Sequence, residues 1–229
     1  MPPGCVPFPD GDVRPEMADR PELSGAAGIL GGTFNPPHVG HLVMGQEAMD
    51  QLGLDRVVFM PVSRPPHKEA AEDPGAAVRL DLCRLAVAGD ERFGVSTVEI
   101  ERGGASFTVD TLRALHDLAP EHALTFIVGG DMAHSLPSWR EPEEVLRLAR
   151  LAVAERSGVR REDLARLLEP LHAGDRVVFF DMPRIDVSSS AIRRRVAEGR
   201  PIRYLVPPAV EAAIEERHLY RPAVGRPAA

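Results

Sequence analysis

A chain of 229 residues is long enough for one folded domain with an ample core, with or without a small appendage. The formal net charge of −7 excludes general electrostatic binding to nucleic acid, so any basic site must be local. The two cysteines, Cys5 and Cys83, are isolated, which excludes a disulfide framework and leaves no metal-type spacing.

The start of the chain is rich in proline and shows no hydrophobic period, so we predict a disordered extension over 1–24. It lacks the apolar core of a secretory signal, and no apolar run in the sequence approaches membrane-spanning length. A second loose end is predicted over 222–229, which leaves one domain over 25–221. We therefore expect a cytoplasmic protein without a membrane partner.

Between these ends, apolar runs of strand length alternate with segments of helical spacing. Strands are predicted at 26–30, 56–61, 95–100, 124–128, 150–154 and 176–180, and helices at 42–54, 76–88, 108–118, 142–149, 162–171, 188–198 and 208–216. This alternation predicts an α/β fold, a Rossmann-like doubly wound parallel sheet with a C-terminal helical segment. In such sheets ligands bind beyond the carboxyl ends of the strands.

The most informative segment is the histidine loop, residues 31–42, with the sequence GGTFNPPHVGHL. Its glycines follow a strand and let backbone approach a ligand, and the start of the next helix offers free N–H groups to an anion. His38 and His41 are three residues apart, so they share a helix face. Two imidazoles beside a phosphate site favour stabilisation of charge on a transferring phosphoryl group. A tight turn with two surface histidines is the plainer interpretation, and the flanking strand and helix argue against it.

A second motif is the serine–arginine segment, residues 187–195, with the sequence VSSSAIRRR. One serine is placed to cap a helix, and the others, with free backbone N–H groups, are placed to hold phosphate oxygens. Arginine side chains follow within a turn, and their planar forks suit phosphates. Taken alone, the segment favours a plain serine cap before a solvated basic face. Beside the histidine loop, phosphate binding becomes the better interpretation.

Three further motifs are less specific. The loop over 61–68 ends in His67 and Lys68, which suit a phosphate or nucleotide about as well as a plain surface loop. Asp131, after a central strand, is placed to accept hydrogen bonds from a ribose, and Trp139 to stack on a heterocycle. A tryptophan at the core edge and an aspartate capping a helix are equally good alternatives. For the SFTVDTL segment, ordinary helix capping by Ser106 or Thr108 is favoured.

Two other kinds of site are disfavoured. His38, His41 and His67 could surround zinc, but a His-x-x-His pair after prolines is not a usual zinc spacing, and no cysteine pair supports it. Magnesium held mainly by substrate phosphates fits better. A dinucleotide-binding dehydrogenase would need Gly-x-Gly-x-x-Gly after the first strand, and this loop lacks that spacing.

At these motifs the chain resembles the nucleotidyltransferase superfamily marked by His-x-Gly-His, and within it the bacterial nicotinate-nucleotide adenylyltransferases. Residues 31–42 resemble that family's opening loop, usually GGTFDPPHxGHL, and 187–193 resemble its ISSTxIR segment. The PPHK, SFTVDTL and GGDM-to-tryptophan motifs match in order, as does the closing segment 206–220. The resemblance covers 26–220, nearly all of the predicted domain.

The resemblance implies transfer of AMP from ATP to nicotinate mononucleotide by direct in-line attack, giving deamido-NAD and pyrophosphate, with Mg²⁺ accompanying ATP. It implies a catalytic role for His38, His41 and Arg193. The implied ATP contacts are Gly32, Thr33, Phe34, His38, His41, Asp131, Ser188, Ser189 and Arg193. The implied nicotinate mononucleotide contacts are Asn35, Lys68, Thr108, Trp139 and Arg140, with Trp139 on the pyridine ring and backbone N–H groups near Thr108 and Arg140 on its carboxylate.

Three residues depart from the family pattern: Asn35 replaces Asp, Phe107 replaces Tyr and Ser190 replaces Thr. Asn35 keeps an oxygen acceptor and loses a charge, and Phe107 loses a hydroxyl. Two alternatives stay open, a sister transferase with another acceptor (nicotinamide mononucleotide or phosphopantetheine) and a non-catalytic nucleotide-binding domain. The preference for an acid or an amide acceptor and the formation of a homo-oligomer are also open.

Overall fold

The computed structural model describes residues 25–64, 72–155, 161–171 and 173–222. The predicted extension over 1–24 lies outside these ranges, as do 223–229 and the segment that carries His67 and Lys68. The domain limits therefore stay predictions. Within the described ranges, no helix is both long enough and apolar enough to cross a membrane.

A single parallel sheet forms the centre of the described structure. Its strands are β1 (Ala27–Gly32), β2 (Arg56–Pro61), β3 (Phe93–Val95), β4 (Leu124–Gly129), β5 (Ala149–Glu155) and β6 (Val177–Asp181). They lie in the order β3-β2-β1-β4-β5-β6, and every adjacent pair is parallel. The chain changes direction across the sheet between β1 and β4, so the carboxyl ends of these two strands flank the position where such sheets bind ligands.

Helices cover both faces of the sheet. They are α1 (Val39–Leu52), α2 (Ala76–Val87), α3 (Val98–Arg102), α4 (Thr108–Leu118), α5 (Gly130–His134), α6 (Pro142–Leu148), α7 (Arg161–Leu168), α8 (Ser189–Ala197) and α9 (Pro208–Glu216). Because neighbouring residues of a strand point to opposite faces, Ile29 packs in the core cluster with α4 and Leu30 in the cluster with α1. A third cluster packs α8 and α9 against α2. The predicted doubly wound fold with C-terminal helices is confirmed.

The helix α4 shows how closely local pattern and structure agree. Its observed bounds are those predicted, and Val109, Leu112 and Leu115, which the periodicity places inward, are fully buried. Capping by Ser106 or Thr108 is wrong, because the N-cap is Phe107 and no side chain bonds there.

The predicted strand over 95–100 is wrong except at Val95, because the observed strand begins earlier, at Phe93. The strand β3 ends at Val95, and the backbone then enters the helix α3 through Thr97, which has helical φ and ψ. An edge strand has a neighbour on one side only, so few bonds hold it in register. The helical turn instead buries Glu99, whose carboxylate accepts a hydrogen bond from Thr111 Oγ1 (2.5 Å). A buried carboxylate needs a hydrogen-bond donor. In an extended backbone, Glu99 would need a donor other than Thr111.

Candidate active site

The histidine loop links the carboxyl end of β1 to the start of α1. His38 is the N-cap residue of α1 and is only 4% exposed. Its ring stacks on that of His41, with 3.7 Å between centroids and 23° between planes. We refer to these side chains as the imidazole pair. The pair stands at the N-terminus of a 14-residue helix, whose dipole favours an anion.

A backbone hydrogen bond fixes the proton arrangement of His41. The N–H of His38 donates to Nδ1 of His41 at 3.1 Å. In a neutral imidazole one ring nitrogen accepts and the other carries the proton. With Nδ1 accepting, the proton of His41 is on Nε2, which makes Nε2 the donor toward a ligand.

Two neighbours set the position of the imidazole pair. Phe34 has a left-handed φ of 49°, is buried, and meets His41 edge-on with 5.0 Å between centroids. Non-glycine residues held in this region store backbone strain, which is common at functional sites. On the other side, a Cβ on Gly40 would lie 3.1 Å from Nδ1 of His38. The glycine of the His-x-Gly-His motif therefore makes room for the first histidine ring.

Replacing Gly40 by Ala is expected to separate activity from stability. The added methyl group displaces the His38 ring by a few tenths of an ångström, which we expect to lower kcat about tenfold. Alanine is the better helix former by up to about 1 kcal/mol, so it offsets part of the strain. Steady-state kinetics and urea unfolding on the same preparation measure both quantities. An unchanged kcat would show that Gly40 does not hold the ring in place.

The serine–arginine segment docks directly onto the histidine loop. Ser188 caps α8 by accepting a hydrogen bond from the N–H of Ala191 at 3.2 Å, which confirms the predicted cap. Ser189 Oγ donates to the carbonyl of Pro36 at 2.8 Å, and Arg193 Nη1 donates to the carbonyl of Asn35 at 2.8 Å. The two motifs that sequence reasoning paired therefore meet in the structure. The N-terminus of α8 stands beside that of α1.

The guanidinium of Arg193 already donates one of its hydrogen bonds to a carboxylate. Its Nε donates to Oε2 of Glu72 at 2.8 Å, and its Nη2 lies 3.4 Å from Ser190 Oγ. The Arg193 side chain is 15% exposed and that of Glu72 is 58% exposed. Ion pairs with so exposed a partner stabilise a protein by about 0–1 kcal/mol. A phosphate would therefore displace Glu72 at little energetic cost.

The amide of Asn35 has an unusual environment. The residue is 3% exposed, and neither Nδ2 nor Oδ1 has a hydrogen-bond partner among the described residues. Leaving a buried polar group unpaired costs about 1–3 kcal/mol. Such a group points to a site that a ligand completes.

Arg140 packs against the start of α4. The Arg140 guanidinium lies over the ring of Phe107, 5.1 Å from its centroid, and Nη1 donates to Asp110 Oδ2 at 3.3 Å. These contacts bring Arg140 to the first turn of α4, which begins at Thr108. Trp139, the next residue back along the chain, is partly buried.

Trp139 lies at the edge of the core. Its ring meets Phe126 edge-on at 6.2 Å, and its Nε1 donates to Ser135 Oγ at 2.9 Å. Phe126 in turn lies under the histidine loop, since a Cβ on Gly31 would come within 2.9 Å of its ring. One aromatic ring thus separates Trp139 from the end of β1.

Asp131 lies at the carboxyl end of β4, in the first turn of α5, and is exposed. A Cβ on Gly129 would lie 2.8 Å from Asp131 Oδ1 and 3.9 Å from Cε of Met44 on α1. The carboxylate thus lies beside Gly129 at the carboxyl end of β4. The alternative interpretation of Asp131 as a helix cap is wrong, because the N-cap is Gly129 and has no side-chain bond.

A buried polar network behind α4 was not found from sequence. Burial raises the pKa of Glu99 above its ordinary value, against hydrogen bonds from Ser106 and Thr111. Ser106 Oγ also accepts from the N–H of Ser63 at 3.0 Å. The network ties the start of α4 to the loop after β2. The only signal was the alternation of polar with apolar residues over 97–100, which also fits a strand.

No group of three or more His, Cys, Asp or Glu side chains in the described ranges could hold a metal ion. Lys68, with His67, lies outside those ranges, so its place in the site stays a prediction.

This fold, with the imidazole pair and the serine–arginine segment at one end of the sheet, defines the nucleotidyltransferase class, and residues 29–195 match the cytidylyltransferase-like family. A relative from Shouchella clausii is 43% identical over 84% of this chain and 95% of its own length. One from Exiguobacterium sibiricum is 45% identical over 84% and 97%, respectively. Both carry the name "Probable nicotinate-nucleotide adenylyltransferase". The chain belongs to the nicotinate-nucleotide adenylyltransferase family.

Solved structures share the fold at lower sequence identity. Nicotinic acid mononucleotide adenylyltransferase of Plasmodium falciparum complexed with NaAD superposes with a TM-score of 0.70 at 17% identity. The match covers 86% of this chain and 97% of that one. The same enzyme complexed with APC gives a TM-score of 0.69 at 16% identity.

Proposed function

We propose that this protein transfers the AMP unit of ATP to nicotinate mononucleotide, forming deamido-NAD and releasing pyrophosphate. The observation that carries the proposal is the docking of α8 on the histidine loop through Ser189 and Arg193. It places two helix N-termini, the imidazole pair and a guanidinium around one site, which suits a polyphosphate. The names of the close relatives support this acceptor.

The triphosphate lies between the histidine loop and α8. Backbone groups of Gly32, Thr33 and Phe34 line its approach at the end of β1. The hydroxyl of Ser188 and the N–H groups at the start of α8, including that of Ser189, bind the β- and γ-phosphates, and Arg193 exchanges Glu72 for them. The hydroxyl of Ser189 stays on the carbonyl of Pro36. Asp131, at the carboxyl end of β4, accepts from the ribose of the adenosine.

The reaction needs charge stabilisation rather than a protein nucleophile. A phosphate oxygen of nicotinate mononucleotide attacks the α-phosphorus and forms the new P–O bond. The bond to the bridging oxygen breaks, and its electron pair leaves with pyrophosphate. His38 and His41 stabilise the negative charge that builds on the transferring group, with the Nε2 proton of His41 as one donor. Positioning and charge stabilisation supply most of the rate in phosphoryl transfer.

The acceptor lies on the opposite side, near α4. Trp139 stacks on the pyridine ring, and N–H groups near Thr108 and Arg140 hold its carboxylate. Asn35 completes its hydrogen bonds on the acceptor, which explains a buried amide without described partners. Lys68 adds positive charge near the phosphates.

Mg²⁺ enters as part of the ATP complex. We expect it to be held mainly by the phosphate oxygens of ATP, because Mg²⁺ usually keeps several waters and binds substrate phosphates. Bound there, it would supply charge neutralisation for the phosphates and so favour departure of pyrophosphate. Because both substrates are metabolites of the cell interior, we place the reaction in the cytoplasm.

Pyrophosphate release with a panel of acceptors tests the proposal. We expect turnover with nicotinate mononucleotide and a kcat/KM at least about tenfold lower with nicotinamide mononucleotide, because backbone donors gain a charge-assisted bond only with the acid. Phosphopantetheine should give no pyrophosphate. A preference for another acceptor would identify a sister transferase. ATP binding without pyrophosphate release for any acceptor would indicate a non-catalytic domain.

A further inference from the structure

Arg79 on α2 is a charged residue that the proposed reaction does not use, and it is 0% exposed. Its Nη1 donates to the carbonyls of Thr33 (3.0 Å) and Val62 (2.7 Å), and its Nη2 to the carbonyl of Ser63 (2.9 Å). Its Nε donates to Oδ1 of Asp73 at 3.0 Å. Four of its five N–H donors are therefore in use.

Stability does not explain this arrangement well. A buried charge is tolerated only when it is paired and hydrogen-bonded, and an apolar side chain of similar volume often serves stability as well. What an apolar side chain lacks is a rigid planar fork that holds several carbonyls at fixed distances. The role of Arg79 is therefore to hold these backbone carbonyl groups at fixed positions.

The carbonyls that Arg79 joins belong to two loops. Thr33 follows β1 and opens the histidine loop, whereas Val62 and Ser63 follow β2. The two loops are also joined by the N–H of Val62, which donates to the carbonyl of Gly32 at 3.1 Å. Arg79 thus ties together the exits of two adjacent strands at the carboxyl edge of the sheet.

A short path of contacts leads from Arg79 to the imidazole pair. Thr33, whose carbonyl it holds, directly precedes Phe34 with its left-handed backbone. The Phe34 ring meets His41, and His41 stacks on His38. A shift of the Thr33 carbonyl would therefore rotate Phe34 and displace the pair.

We propose that Arg79 is a positioning residue for adenylyl transfer, because its guanidinium holds the turn at Thr33 and Phe34 that places the imidazole pair. This inference rests on the proposed role of His38 and His41. Arg79 is fully buried and its guanidinium is held by loop carbonyls and Asp73, so its loss should lower kcat and leave the KM for ATP nearly unchanged.

The substitution Arg79→Lys tests the proposal. Lysine keeps the charge beside Asp73 and loses the fork. We expect kcat per folded molecule to fall about 10–100-fold, the range for residues that orient catalytic groups, with the KM for ATP within about threefold. Arg84→Lys is the matched control, the same change on the same helix at a partly exposed position paired with Asp81, and it should leave kcat unchanged.

A readout independent of turnover is the imidazole resonances in 15N-histidine-labelled protein. Arg79→Lys should shift those of His38 and His41 and leave those of His116 and His134 in place. Unchanged kcat and unchanged resonances would overturn the proposal. So would equal loss of kcat and of folded fraction, which marks a purely structural residue. If wild-type protein releases no pyrophosphate with any acceptor, the proposed function fails, and the resonances still decide whether Arg79 positions the pair.

A second variant covers the case in which Arg79→Lys does not fold. Asp73 is 24% exposed, so Asp73→Asn removes the charge partner without burying a new group. Asn Oδ1 can still accept from Nε, so the guanidinium keeps its hydrogen bonds and loses the charge that anchors it. We expect kcat to be about 3–10-fold lower and the imidazole resonances of His38 and His41 to shift less than in Arg79→Lys. The smaller effect is expected because Asp73 acts on the histidines only through Arg79. No change in either would contradict the proposal.

Discussion

Replacing His41 by Asn should lower kcat by about 10²–10³-fold, the loss expected when one donor to a developing negative charge is removed. The Asn Oδ1 stands where Nδ1 of histidine does, so it still accepts from the N–H of His38. The capping-box hydrogen bond between the His38 N–H and residue 41 is kept, and the donor at Nε2 is lost. Kinetics of pyrophosphate release and urea unfolding together separate the two roles.

Two further variants complete this experiment. His41→Ala removes both the donor and the cap, and should lose the same activity plus about 0.5–2 kcal/mol of unfolding free energy. His116→Asn on α4 is the matched control and should retain full turnover. If His41→Asn kept the wild-type kcat, the imidazole pair would have no part in catalysis.

The second large effect is expected at Arg193. Arg193→Met should lower kcat/KM for ATP by about 10³-fold, as for arginines that stabilise phosphoryl transfer. It also removes the bond to the carbonyl of Asn35, so unfolding free energy should fall by about 1.5–3 kcal/mol. Arg193→Lys keeps the charge and loses the planar fork of donors. Its kcat/KM for ATP should therefore lie between those of the wild type and of Arg193→Met.

The neighbouring residue provides the comparison for Arg193. Arg194 lies on the same helix and is exposed, so Arg194→Met should change kcat/KM by less than about twofold at moderate salt. A similar loss in both variants would mean that the segment acts through its net charge alone. A loss of stability in Arg193→Met without a loss of kcat/KM would limit Arg193 to a structural role.

The histidine loop was predictable because its determinants are local. Glycines at a strand end and two histidines at a helix start lie within 12 residues. The rings do pair, but His38 precedes α1 with an extended backbone, so the pairing comes from the capping arrangement at the helix start and not from a shared helix face. The partner segment was predictable as a helix start from Ser188. That Ser189 and Arg193 hold carbonyls of the histidine loop was not, because those contacts span more than 150 residues.

Arg79 shows why other parts were missed. Its carbonyl partners are 16, 17 and 46 residues away, and carbonyl groups have no signature in a sequence. A signal did exist, since Arg79 shares the helix face of Leu82, Cys83 and Ala86, all of them buried. An arginine at such spacing is buried and must find acceptors. Burial of Glu99 is a similar case, because a polar residue within an apolar alternation fits an edge strand as well as a helical turn.

The central claim is most directly tested with ATP labelled at the α-phosphate, incubated with nicotinate mononucleotide and purified protein. We predict that the label appears in deamido-NAD, with one unlabelled pyrophosphate for each product molecule and no label on the protein. The slower His41→Asn variant should give the same products. Label recovered as free AMP, attached to the protein, or retained in ATP would contradict direct transfer to this acceptor.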